Sequence, residues 1–215
     1  MIHILTYSEV GGHRVNEDAF VARPHTTDQD SWLICLADGQ GGRAGGAHAA
    51  KLACESAADL AANAPANDWV DSSVWQSILA QADTTLATDP AAGFTTLIGL
   101  GVRSDQIAGA SSGDSAAVLF NNGTALELTA RQFKNPPVGS GEATFIPFEA
   151  RPVRPWQLLV MSDGVWKYAG WDKIRDLAAS TTGPELLTQL QDAARLRGTG
   201  AFPDDFTVIL IEASD

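Results

Sequence analysis

Carboxylates stand at the ends of the apolar runs of this chain, and no other feature constrains its fold as tightly. Glu17 and Asp18 precede Ala19-Phe20-Val21, Asp38 closes Leu33-Ile34-Cys35-Leu36-Ala37, and Asp163 follows Leu158-Leu159-Val160-Met161. Asp114 leads into the run at 116–120, and Asp204 and Asp205 into the run at 206–211. An ionised carboxylate is too costly to bury alone, so each acid marks where a buried run meets a boundary. Antiparallel neighbours can bring such ends to one rim, where the carboxylates repel unless protons or cations intervene. An oxygen-only cluster suits hard divalent ions such as Mg²⁺ or Mn²⁺, and no His or Cys spacing competes with it. Each acid taken singly also reads as an ordinary solvated turn residue.

The runs themselves read as strands over 2–7, 19–23, 32–37, 95–102, 106–110, 116–120, 125–128, 143–148, 156–161 and 206–212. The run at 32–37 is apolar at every position, the pattern of a strand covered on both faces. Asn121-Asn122-Gly123 is a hairpin signal. Helical periodicity appears over 46–62, through Ala49, Leu52, Ala53, Ala57 and Leu60, and again over 70–86. Two more helices are predicted at 171–179 and 184–197, the second with Pro184 in its first turn. Helices grouped early and late, with strands between them joined by short turns, favour an α+β layered sandwich over a βαβ repeat. No linker, repeat or low-complexity segment divides the chain, so one domain over residues 1–215 is expected.

Composition limits the partners. With 14 Lys+Arg against 26 Asp+Glu the formal charge is -12, which argues against nucleic acid or an anionic membrane as partner. A phosphate substrate would need its charge offset by something other than the surface. An apolar fraction of 45% with 19% charged residues excludes a disordered chain. Two cysteines, Cys35 and Cys54, are too few for a disulfide framework or a four-ligand zinc site, and Cys35 reads as a buried thiol. No run is long enough to span a membrane, and the opening Met1-Ile2-His3-Ile4 lacks a basic leader, so a cytoplasmic location is expected. Nothing signals an oligomer, and a monomer is the expectation.

Taken in order, six short elements resemble those of the PPM (type 2C) family of metal-dependent Ser/Thr protein phosphatases. They are Asn16-Glu17-Asp18-Ala19, Ala37-Asp38-Gly39-Gln40-Gly41-Gly42, Thr95-Thr96-Leu97, Gly113-Asp114-Ser115, Ser162-Asp163-Gly164-Val165-Trp166 and Asp204-Asp205-Phe206-Thr207. The resemblance covers nearly the whole chain. It implies a four-layer α-β-β-α sandwich, two central antiparallel sheets flanked by helix pairs. It also implies a phosphoserine/phosphothreonine protein phosphatase using two Mn²⁺ or Mg²⁺ ions. In that scheme Asp38 bridges the ions, Asp163 and Asp204 complete one, Glu17 and the Gly39 carbonyl hold the other, and Asp18 orients water. A hydroxide bridging the ions would attack phosphorus in line with no phosphoenzyme. Substrates with basic residues beside the phosphosite are expected, given the acidic surface.

The sequence also departs from the family. Where an arginine usually grips phosphate stands His13, with Arg14 next to it; Arg14 is favoured, for its bidentate contact, over His13. Where many members carry an aspartate that joins Asp114 at a third ion stands Lys167, which repels a cation and disfavours that ion. Gln40 makes a side-chain general acid a poor expectation, His48 reads as structural or solvent-facing, and Trp166 as core packing. The segment 129–139 is shorter than the family's usual flap. These departures keep open a second reading, a catalytically impaired phosphatase-like module that binds a phosphoprotein or a regulator.

Overall fold

The computed structural model describes residues 1–26, 28, 30–40 and 45–214. The glycine-rich positions Gly41 and Gly42 singled out above lie outside them. Ten strands and five α-helices follow in the order β1 (Ile2–Glu9), β2 (Asp18–Pro24), β3 (Trp32–Asp38), α1 (Gly46–Ala62), α2 (Ser72–Ala87), β4 (Leu97–Val102), β5 (Ile107–Ser112), β6 (Ala116–Asn121), β7 (Thr124–Glu127), β8 (Ile146–Ala150), β9 (Trp156–Met161), α3 (Asp163–Ala169), α4 (Trp171–Ser180), α5 (Gly183–Ala194) and β10 (Phe206–Ala213). One sheet runs β1-β10-β9-β6-β7 and the other β2-β3-β4-β5-β8, and every pairing is antiparallel. Asn122 and Gly123, both at positive φ, make the tight turn joining β6 to β7.

The continuous apolar runs are explained by four layers. In β3, Leu33, Cys35 and Ala37 face α1 and α2, while Ile34 and Leu36 face the other sheet. In β10, Val208 and Leu210 face α4 and α5, while Ile209 and Ile211 meet Ile34, Leu36 and their neighbours across the sandwich. With both faces covered, alternation disappears and every position turns apolar. Alanine lines the inner face of α1 at Ala49, Ala50, Ala53, Ala57, Ala58 and Ala61. These small side chains let α1 pack closely, and Trp69 and Trp75 fill the space beside it with their indole N–H groups satisfied by the Ala61 and Trp69 carbonyls. Leu52 and Leu60, expected on the inner stripe, are only partly buried. No described helix is long and apolar enough to cross a membrane.

Candidate active site

The acid-bearing ends of both sheets meet at one edge of the sandwich. Asp18 opens β2 directly opposite Asp38, which closes β3. Both backbone groups of Asp38 are fixed: its N–H donates to Thr96 Oγ1 at 2.9 Å, and its carbonyl accepts from Thr95 Oγ1 at 2.8 Å and from the Thr96 N–H at 2.9 Å. Thr96 Oγ1 also bonds Ser115 Oγ at 2.8 Å, tying this corner to the turn that carries Asp114. Gly39 donates its N–H to the Glu17 carbonyl at 3.0 Å. A Cβ there would lie 2.4 Å from the Gly46 carbonyl oxygen, so only glycine lets the chain pass.

The second sheet supplies the rest. Ser162 Oγ donates to Asp18 Oδ2 at 2.7 Å and accepts from the Thr207 N–H at 3.1 Å, joining β9, β10 and β2 at one hydroxyl. Asp163 follows as the first residue of α3, and Asp204 lies just before β10. At Gly164 a Cβ would stand 2.0 Å from the Asp205 carbonyl oxygen, so glycine seats α3 against the start of β10. Asp205, to which the sequence assigns no role, is the hub of this edge. Its carboxylate accepts from the Gly11 N–H at 2.8 Å and the Glu17 N–H at 2.7 Å, and from His13 Nδ1 at 3.2 Å. The only sequence signal for it is the tandem of acids at the mouth of an apolar run.

Asp38, Gly39, Asp114, Asp163, Asp204 and His13 all line a cleft of about 480 Å³. Glu17 and Asp18 stand behind it, partly buried. Arg14 is exposed and is not among the lining residues, whereas His13 is. Lys134 and Lys167 line the cleft too and pair with Asp114 and Asp163. Trp166 is half-buried, stacked on Trp171 with ring centres 5.5 Å apart, and its Nε1 donates to the Asp114 carbonyl at 3.0 Å. His48 faces Asp89 at 2.8 Å on the surface, away from the acids. A larger groove of about 730 Å³ lies at the far end of β10, lined by His3, Trp156, Gln157 and Glu212, and holds none of these acids.

The acids are packed at a cost. Burial, and then Asp18, Asp163, Asp114 and Asp204, push the Asp38 carboxyl up to about 9. Burial raises Asp18 to about 7, against the hydroxyls of Ser162 and Thr207, which favour its charge. Asp163 is raised by burial despite Lys167, and Glu17 is raised chiefly by burial. Burial works against the charge of His13, yet its bond to Asp205 and the nearby Asp204 and Glu17 prevail and raise it. Glu17 Oε2 and Asp18 Oδ1 are buried with no hydrogen-bond partner. Among the described residues no three His, Cys, Asp or Glu side chains close into a ready cation cage. Crowded, desolvated oxygens with orphaned acceptors fit hard divalent cations, which would satisfy the lone pairs and relieve the repulsion.

The sequence matches the family model described as protein phosphatase 2C over residues 7–195. No curated protein matches it. Among solved structures, a bacterial serine phosphatase is similar at a TM-score of 0.83 and 20% identity, covering 100% of this chain and 99% of that one. The catalytic domain of the serine/threonine protein phosphatase PstP, solved with two manganese ions, has a TM-score of 0.80 at 21% identity and the same coverage. The serine/threonine phosphatase Stp1 from Staphylococcus aureus has a TM-score of 0.77 at 20% identity, covering 100% of this chain and 96% of that one. With the match spanning most of its length and the architecture reproduced throughout, the chain belongs to the protein phosphatase 2C family.

Proposed function

We propose that this chain is a Mn²⁺- or Mg²⁺-dependent phosphatase acting on phosphoserine and phosphothreonine in proteins. One observation carries the reading: carboxylates from both sheets converge on a single cleft, with buried acceptor atoms on Glu17 and Asp18 that no donor in the protein satisfies. Glu17, Asp38, Asp163, Asp204 and the Gly39 carbonyl would hold two ions. When bound, the ions supply acidified water for in-line attack on phosphorus and positive charge against the phosphate. The protein's own contribution is positional. Thr95 and Thr96 fix Asp38, Ser162 aims Asp18, and Asp205 holds both His13 and the Glu17 backbone. His13 stands where an imidazolium can donate to a phosphate oxygen, and Arg14 sits one residue along, outside the cleft lining. The unit carrying this activity is residues 1–215 with a shortened flap segment, since β1 and β10 pair within one sheet. A monomer working in the cytoplasm fits two free buried thiols, an acidic surface and protein substrates with basic residues flanking the phosphosite.

The test is hydrolysis of p-nitrophenyl phosphate and of a phosphopeptide with Mn²⁺ and with chelator. Turnover should require the metal, and Asp38→Asn should lower it at least ~100-fold, beyond the 10–100-fold usual for outer-shell partners. Folded protein without metal-dependent turnover would sink the proposal. It would favour the binding-module reading, which the lysine pairing of Asp114 and Asp163 supports.

A further inference from the structure

Two lysines stand among the cleft's acids. Lys167, one turn beyond Asp163 in α3, places its Nζ on Asp163 Oδ2. Lys134, from the connection between β7 and β8, places its Nζ on Asp114 Oδ2. The two lysines come from separate parts of the chain and line the same cleft. An ion pair between exposed side chains is ordinarily a weak surface feature. Here the carboxylates are sheltered: the Asp163 side chain is 13% exposed and that of Asp114 19%. Asp163 also feels Asp114, which is among the groups that disfavour its charge.

The arrangement is built. Trp166 Nε1 clasps the Asp114 carbonyl at 3.0 Å, and Trp166 immediately precedes Lys167 in α3. One helix therefore carries Asp163, Lys167 and the clasp that fixes Asp114. Gly113, at φ +124, makes the turn that presents Asp114, a conformation other residues rarely adopt. Lys134 belongs to the segment 129–139 itself.

We propose that the ammonium groups of Lys134 and Lys167 occupy the cation position shared by Asp114 and Asp163, so that the chain itself carries the positive charge a further divalent ion would bring and takes no exchangeable ion at Asp114. The inference rests on the phosphatase reading for the two principal ions. Its charge count closes: two carboxylates face two ammonium groups. An incoming divalent ion would have to displace a tethered lysine and then lie beside like charge. Lys167 bonds Oδ2 of Asp163, which leaves Oδ1 for a principal ion.

Binding of Mn²⁺ to the metal-free full chain, followed by calorimetry and by the paramagnetic resonance of free Mn²⁺, tests this without reference to turnover. The variant is Lys134→Met with Lys167→Met, which removes both charges and adds no ligand. The lysine side chains are 61% and 41% exposed, so folding should survive, and a thermal melt checks it. The double variant should bind one Mn²⁺ equivalent more than wild type, and adding Asp114→Asn should remove it. A wild type that already binds an Asp114-dependent ion would overturn the proposal. So would a folded double variant that gains none. Asp38→Asn reports separately on the principal pair. A wild type lacking Asp38-dependent Mn²⁺ defeats the phosphatase reading, while the lysine comparison still decides this one. Lys134→Ala with Lys167→Gln should move in the same direction and replaces the methionine variant if that one melts early.

Discussion

A single hydroxyl shows how tightly the cleft is specified. Ser162 is fully buried, donates to Asp18 and accepts from the backbone of Thr207. Ser162→Ala would leave the Thr207 N–H without its acceptor in a dry site and take from Asp18 one of the two hydroxyls that favour its charge. We expect a loss of about 1–3 kcal/mol in a denaturant melt. Mn²⁺ affinity measured by calorimetry should fall roughly 10–100-fold, since Asp18 loses its aim. Unchanged affinity with lowered stability would make the hydroxyl purely structural. At this scale the sequence was legible wherever an acid ended an apolar run, because burial forces that placement. It was silent where partners are distant. The contact between His13 and Asp205 joins residues 192 apart, and neither Lys134 nor Trp166 carries any local sign of its bond to Asp114. From sequence, Arg14 ranks ahead of His13 on its chemistry as a phosphate ligand alone.

Elements are held at the cleft by backbone bonds to side chains. Asp205, 4% exposed at the entrance to β10, takes the N–H of Gly11 after β1 and that of Glu17 before β2. Asp205→Ala removes both acceptors and frees the connection between those strands. The expected cost is about 3 kcal/mol or more, read in a denaturant melt, because two buried donors lose a charged partner. Asp205→Asn keeps one acceptor oxygen and should cost less. Equal losses would mean that charge, not the paired acceptors, does the holding. Strands buried on both faces were easily recognised from sequence, as was the Asn-Asn-Gly turn. The helix α3 was not: its seven residues are too few for a periodic signal, and Gly164 in its first turn weakens it further. Tertiary contact with the start of β10 determines it instead. Helix α5 also stops at Ala194, short of the expected end, where Arg195 turns extended and swings its guanidinium onto Glu9 and over the Phe202 ring.

At the scale of the whole molecule, the crowded acids make stability depend on pH. In chelator, Asp18 and Asp38 keep protons in the folded state up to about 7 and about 9, against an ordinary value of 3.8. Folded-state values above unfolded ones mean that native protein holds protons the unfolded chain releases. The stability from these groups is complete below about pH 4 and is lost as pH rises through both values. On the proposed reading, divalent ions would bind the ionised acids and reverse the loss. The chelator Tm should therefore fall by roughly 5 °C or more between about pH 5.5 and 9, and the gap between Mn²⁺ and chelator should widen over the same window. A gap that stays constant would contradict the crowding of these acids. The charge of -12 thus has a local part, crowded at one edge and suited to cations, and a dispersed part on the surface. The pairing of β1 with β10 also bears on the order of assembly. Strands β2 to β5 can join with α1 and α2 through mostly nearby contacts, but among the described residues β1 has no strand neighbour until β10 arrives, far along the chain. Closing so long a loop is slow, and it comes after the local pairings. Asp18 and Asp38 ride on one sheet while Asp163 and Asp204 stand at the end of the other, so the cleft exists only once the two sheets have packed. On the proposed two-ion reading a half-formed chain offers no complete site, and full-strength metal binding would report that the two sheets have met.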